Sequence, residues 1–183
     1  MTPKTTTHSD TTITELMIPA YSNLGGKIHG GVLLSLMDKV AYACATKHAG
    51  NYCVTVAVDT VDFLLPVEVG DLVSMMARVN YVGRTSLVIG IKVTAENVKK
   101  AMIKHTNTSY FTMVAKDDNN KPVAVPPVKL TSEMEVRRFY QAIFRKELKT
   151  YMKEQVIKNK KEKNIDYILE KIKDDRCVIS FSE

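Results

Sequence analysis

Residues 32–48, VLLSLMDKVAYACATKH, decide the fold. Their apolar side chains recur at helical spacing yet reach nearly every face, so the segment predicts a helix buried all round. Gly30 and Gly31 stand directly before it, and Ala49-Gly50-Asn51 supplies a stop. Downstream the period changes to two. Residues 53–65 (CVTVAVDTVDFLL), 68–82 (EVGDLVSMMARVNYV), 85–98 (TSLVIGIKVTAENV) and 102–115 (MIKHTNTSYFTMVA) all alternate and are rich in strand formers. Four long strands in series, with no helix between them, predict an antiparallel sheet. Residues 11–18 (TTITELMI) add a first strand, and 123–127 (VAVPP) end the sheet region.

One helix without a polar face has to be wrapped by a strongly curved sheet. The expected class is therefore α+β, a long antiparallel sheet around a central buried helix, which is the arrangement of the hotdog fold. Residues 1–10 are polar and Thr-rich and predict a disordered start. Residues 11–130 form the sheet-and-helix domain. Residues 131–183 read as a helical C-terminal extension. Its seam runs through Val136, Phe139/Tyr140, Ile143/Phe144, Leu148, Tyr151/Met152 and Val156. Thr131 or Ser132 can cap it, with Glu135 at capping-box spacing from Ser132. A second short helix is expected within 164–175.

The composition, 45% hydrophobic and 25% charged over 183 residues, is that of an ordinary globular protein. No apolar run reaches the length of a membrane span, and the N-terminus lacks a secretory pattern. A cytoplasmic location is expected. The three cysteines have no CxxC spacing, and Cys44 and Cys53 lie in apolar surroundings, as reduced core residues do. The net charge of +6 divides evenly: residues 1–130 and 131–183 each carry 13 Lys+Arg against 10 Asp+Glu. That lacks the concentrated basic face of a nucleic-acid binder, but suits a small polyanionic ligand.

Asp38 is the anomaly in the helix. An isolated buried carboxylate is costly, so it needs partners or a task. Either it emerges at the helix surface beside Lys39 or Tyr42, or it does chemistry. The segment before the helix favours chemistry. Amides at a helix start are unpaired and lie at the positive end of the dipole, and Gly30 and Gly31 let a ligand approach them closely. Asp38 lies seven residues beyond Gly31, two turns along on a similar face. Asn23 adds an amide that can orient water or a carbonyl. An oxyanion cradle, a carboxylate and an amide suit base-assisted or nucleophilic attack on an acyl group.

The pattern Asn23-x-x-Gly26-x-x-His29-Gly30-Gly31, with Asp38 seven residues on, resembles the active-site segment of hotdog-fold acyl-CoA thioesterases. Further on, VTVAVDTVDFLLPVEVGDLV (54–73) and VNYVGRTSLVIGIKV (79–93) resemble the cytosolic acyl-CoA hydrolase branch of that family. The likeness covers roughly residues 12 to 128. It implies hydrolysis of fatty acyl-CoA to free acid and coenzyme A, with no metal or cofactor beyond the coenzyme A of the substrate. Asp38 would be the general base or nucleophile. Asn23, supplied by the other subunit of a dimer, would orient water or the carbonyl. The Gly31 and Val32 N–H groups would polarise the thioester, with His29 and Gly30 beside them. The Thr55 hydroxyl would hydrogen-bond near the site. Arg84, Thr85 and Ser86 would lie near the coenzyme A nucleotide and pantetheine, although Arg84 also reads as an exposed strand-end arginine. A homo-oligomer is implied, a hexamer built as a trimer of dimers. Two alternatives stay open: a non-enzymatic acyl-CoA-binding or regulatory module, and a hotdog dehydratase in which His29 would be essential.

Overall fold

The computed structural model describes residues 1–161 and 163–181. The chain divides into two compact units, 1–143 and 144–183. In the first, α1 (Gly30–Ala49) packs against an antiparallel sheet of five strands: β2 (Thr11–Leu16), β3 (Tyr52–Val58), β4 (Leu72–Val82), β5 (Ser86–Asn97) and β6 (Met102–Lys116). Their order is β2-β4-β5-β6-β3, which leaves β3 as an edge. β1 (Lys4–Thr5) and β7 (Val128–Lys129) form a separate parallel pair. α2 (Glu133–Asn159) and α3 (Ile165–Ile172) complete the elements.

The alternation in the sequence becomes the two faces of the sheet. Val73, Met75, Ala77 and Val79 of β4, Leu87, Ile89, Ile91 and Val93 of β5, and Phe111 and Met113 of β6 are buried against Met37, Val40, Ala41 and Cys44 of α1. Burial of a large aliphatic side chain stabilises by about 1.5–3 kcal/mol, and this cluster is the core. α1 ends as expected, with Gly50 at φ 71° closing the helix through its N–H onto Thr46 O.

Four expectations need correcting. α1 is not buried all round: Gly31, Leu34, Ser35, Asp38, Lys39 and Tyr42 form an exposed face, because the sheet covers only one side of the helix. β3 stops at Val58 instead of running to 65. Beyond it Asp59 N–H to Tyr110 O and Leu64 N–H to Thr106 O still tie the segment to β6, while Asp59, Asp62 and Pro66 interrupt the strand. Residues 1–10 are not a loose start: Lys4 and Thr5 pair with Val128 and Lys129, and Thr6 and Ser9 are buried. Lys4 Nζ also donates to His48 O at 2.7 Å. Finally, the first unit does not end at 130, because the opening turns of α2 belong to it. Ser132 Oγ accepts from Glu135 N–H at 3.3 Å, and Glu135 Oε2 accepts from Thr131 N–H at 2.6 Å. Glu135 Oε1 takes the Thr6 hydroxyl at 2.5 Å. These bonds hold its carboxyl below the usual carboxylate range.

Candidate active site

Asp38 lies two turns into α1, on its exposed face. Its Oδ1 accepts the Thr55 hydroxyl at 2.6 Å. Thr55 is aimed there by the end of β3: it pairs with Met113, and the next residue, Val56, is the extra residue of a bulge before Ala57 pairs with Thr112. A bulge bends its strand and redirects the neighbouring side chain. Thr55 Oγ1 also lies 3.1 Å from Met113 Sδ. Asp38 and Thr55 open into a cavity of about 370 Å³ shared with Tyr42, Tyr52 and Cys53. The two tyrosine rings stand 6.0 Å apart across it. Tyr52 is a lining residue that the sequence reading missed, and no short motif marks it. Cys53 is no rival nucleophile, since it is buried and desolvation raises its thiol pKa. Cys44 is pushed up to about 12 by the same cause.

The start of α1 is closed by its own cap. The Gly31 N–H donates to His29 Nδ1 at 2.9 Å, and a Cβ on Gly31 would lie only 3.1 Å from that nitrogen. The imidazole therefore rests on Gly31, and a side chain there would have to push it aside by a few tenths of an ångström. Gly30 is covered by the Phe63 ring. The Val32 N–H donates to His29 O at 3.0 Å. In this protomer the Val32 amide thus closes the first helical turn.

Asn23 sits in a tight loop. Its Oδ1 accepts from Gly25 N–H at 2.9 Å and Lys27 N–H at 3.1 Å, and Gly26 takes the left-handed conformation the turn requires. With its oxygen so occupied, the amide presents its NH₂ end outward from an exposed position. No hydrogen bond joins Asn23 to Asp38 among the described residues of the protomer. Arg84, Thr85 and Ser86 lie at the β4–β5 hairpin. In the cross-strand row, Leu87 pairs with Met113 and Met113 with Thr55, two strand spacings or about 10 Å. Arg84 borders a different cavity, of about 510 Å³, with Val125 and Phe139. Within one protomer the hairpin residues therefore do not share the Asp38 cavity.

A sheet curved around one helix, with a carboxylate pinned two turns into that helix, is the hotdog arrangement. Residues 25–102 match the Thioesterase superfamily. The chain is 46% identical over 135 residues to Protein VdlD of Helicobacter pylori, taking in 74% of this chain and 77% of that protein. It is 34% identical over 132 residues to the uncharacterised acyl-CoA thioester hydrolase YkhA of Bacillus subtilis, or 72% and 77% of the two chains. An apo-hexameric acyl-CoA thioesterase superposes with a TM-score of 0.80 at 34% identity, over 83% of this chain and 97% of that one. The acyl-CoA hydrolase of Staphylococcus aureus, in complex with butyryl coenzyme A, coenzyme A and coenzyme A disulfide, gives 0.75 at 29% identity, over 87% and 99%. Structures of that hydrolase also exist with an Asn, an Asp and a Thr each replaced by Ala. Those three stand fifteen and seventeen residues apart, as Asn23, Asp38 and Thr55 do here. The chain belongs to the hotdog-fold acyl-CoA thioesterases, a family of enzymes. Thioester hydrolysis, rather than dehydration or binding alone, is what the Bacillus subtilis relative and the two solved structures are named for.

Proposed function

We propose that the protein hydrolyses fatty acyl-CoA to free fatty acid and coenzyme A, with Asp38 as the general base or nucleophile. The observation that carries this reading is the Thr55–Asp38 hydrogen bond, which fixes one oxygen of a carboxylate that lines the cavity and leaves the other oxygen to act. In the base route that oxygen takes a proton from water, and the hydroxide adds to the thioester carbon. The carbon–sulfur bond then breaks, and the leaving thiolate recovers the proton from Asp38. In the nucleophilic route Asp38 attacks the carbon, expels the thiolate, and water hydrolyses the resulting anhydride. Either way the carbonyl oxygen gathers charge. The Gly31 N–H meets it once the His29 imidazole turns aside, with the Asn23 NH₂ as second donor. The reaction so written calls on no metal and no cofactor apart from the coenzyme A of the substrate.

Asn23 reaches the site from a second subunit. The edge of β3 is open, and Tyr52, Val56 and Val58 on it, with Leu34 and Tyr42 on α1, are exposed apolar residues around Asp38. Covering such an edge is the usual remedy for its unpaired backbone. Assembly of the dimers into a hexamer follows the apo-hexameric relative. Arg84, Thr85 and Ser86 then face the coenzyme A moiety of a neighbouring site, where a guanidinium can take phosphate oxygens in pairs. No helix among the described residues is long and apolar enough to cross a membrane; the cytoplasmic location we propose rests on the 30% identity to the cytosolic acyl coenzyme A thioester hydrolase of Rattus norvegicus. The test is thiol release from palmitoyl-CoA. Asp38→Ala is expected to lose a hundredfold or more, about what a general base contributes, with the oligomer intact; full retained turnover removes Asp38 from the mechanism.

A further inference from the structure

A cavity of about 680 Å³ opens on the sheet face that looks away from α1, floored by β4, β5 and β6 and walled by the first turns of α2. Its floor contains a built feature. β4 and β5 pair residue by residue to Val79 and Ile89, then resume at Tyr81 and Val88, so Asn80 is the extra residue of a bulge. Its side chain folds over Gly90. A Cβ on Gly90 would stand 2.3 Å from Asn80 Nδ2, so glycine is what makes the seat. Asn80 is only 8% exposed, and its side-chain amide lines the cleft, where it can meet a ligand as readily as water.

The walls are cationic. Lys92 comes from β5, opposite Met76 and Thr108, and Arg137 and Arg138 come from α2. Lys92 and Arg138 have no ion pair among the described residues. Arg137 has only Glu133, at 3.8 Å on an exposed helix surface. Asp10, the one carboxylate of the lining, is already held by both Arg78 Nε and Nη2. Three cations thus line a space larger than a single phosphate fills, with Thr12 beside them.

We propose that this cleft binds a small molecule carrying a polyphosphate group. Its oxygens are taken by Lys92, Arg137 and Arg138, and the Asn80 amide meets the group nearest Gly90. Guanidinium forks suit phosphate oxygens in pairs, and a buried amide adds the directional contact that surface charge alone lacks.

The test is calorimetric titration of the full-length oligomer with sodium pyrophosphate. One site per chain is expected. The double variant Lys92→Gln/Arg138→Gln, which breaks no ion pair among the described residues, should weaken binding about tenfold or more, as the loss of two charge-assisted contacts does. Asn80→Ala should weaken it by a smaller factor. Gly90→Ala displaces the Asn80 side chain and should reproduce that loss, with circular dichroism showing that the sheet survives. Lys153→Gln, farther along α2, is expected to bind like the parent. Competition with ADP assigns the ligand: displacement of pyrophosphate points to nucleotides, persistence to inorganic polyphosphate, and both uphold the site. Absence of pyrophosphate binding in the parent protein, or unchanged binding in the double variant, overturns the proposal.

Discussion

Replacing Thr55 by valine isolates one bond of the proposed mechanism. Valine keeps the β-branched shape that fits strand β3 and the packing against Met113, while removing the hydroxyl that donates to Asp38 Oδ1 at 2.6 Å. Hydrogen bonds to charged groups are worth about 1.5–3 kcal/mol. In the lone protomer both residues are exposed, so water would replace much of that. Under a dimer partner, with substrate in the cavity, water is excluded and most of the value returns. The expected loss in kcat is therefore about 10- to 150-fold, from that same range at 1.4 kcal/mol per decade. KM should change much less, because the bond holds the carboxylate and not the substrate. The assay is steady-state thiol release from palmitoyl-CoA with the thermal midpoint measured in parallel. Unaltered kcat in a folded, oligomeric Thr55→Val would refute the claim that Thr55 orients Asp38. A loss of kcat matched by a collapse of Tm would show that the hydroxyl acts through stability instead.

Shared sites can be tested by mixing. Asp38→Ala and Asn23→Ala should each be nearly inactive, yet co-refolded together they should regain about one quarter of parental turnover, because half of the random dimers carry one intact site; no recovery places Asn23 and Asp38 in the same subunit's site or removes Asn23 from it. Glu135→Gln should lower Tm and flatten its pH dependence. The Glu135 carboxyl titrates below its ordinary value in the folded chain, so its stabilisation is present above about pH 4.5 and is lost as pH falls through the folded value; a parent whose Tm is as high at pH 3.5 as at pH 6 contradicts this. Gly31→Ala puts a methyl 3.1 Å from His29 Nδ1, beside the amide that the substrate carbonyl has to approach, and should raise KM and reduce kcat by crowding that carbonyl, read from the same thiol assay; parental kinetics would remove the Gly31 N–H from the carbonyl site.

Period alone revealed α1 and the long strands, because burial on one sheet face and around one helix writes itself into residue spacing. The end of β3 did not show, since Val61 and the apolar run 63–65 continue the alternation after Asp59 has broken the ladder. Docking of residues 4–9 was invisible for another reason: it depends on Thr6 meeting Glu135, 129 positions away, and on two-residue pairing with β7. Asp38 could be picked out as an anomaly from its apolar surroundings. That Thr55 holds it came only from the family likeness, since β3 must fold back before the two residues meet. The exposed face of α1 was misjudged because apolar composition does not distinguish a side covered by its own sheet from one left for another molecule. His29 showed its position before the helix but not its bond to the Gly31 amide, which takes a side-chain rotamer to form.

The passage of α2 across the boundary at 143/144 bears on any attempt to trim this protein. A truncation at residue 130, where the composition changes, would remove Glu135 and leave the Thr6 hydroxyl facing a hole. It would also take away Phe139, whose ring lies 5.0 Å from that of Tyr81, and the buried Ala142. A shortened chain meant to keep the sheet whole should instead run through Ile143. Limited proteolysis of the native protein, followed by mass measurement of the resistant core, would locate the practical cutting point directly.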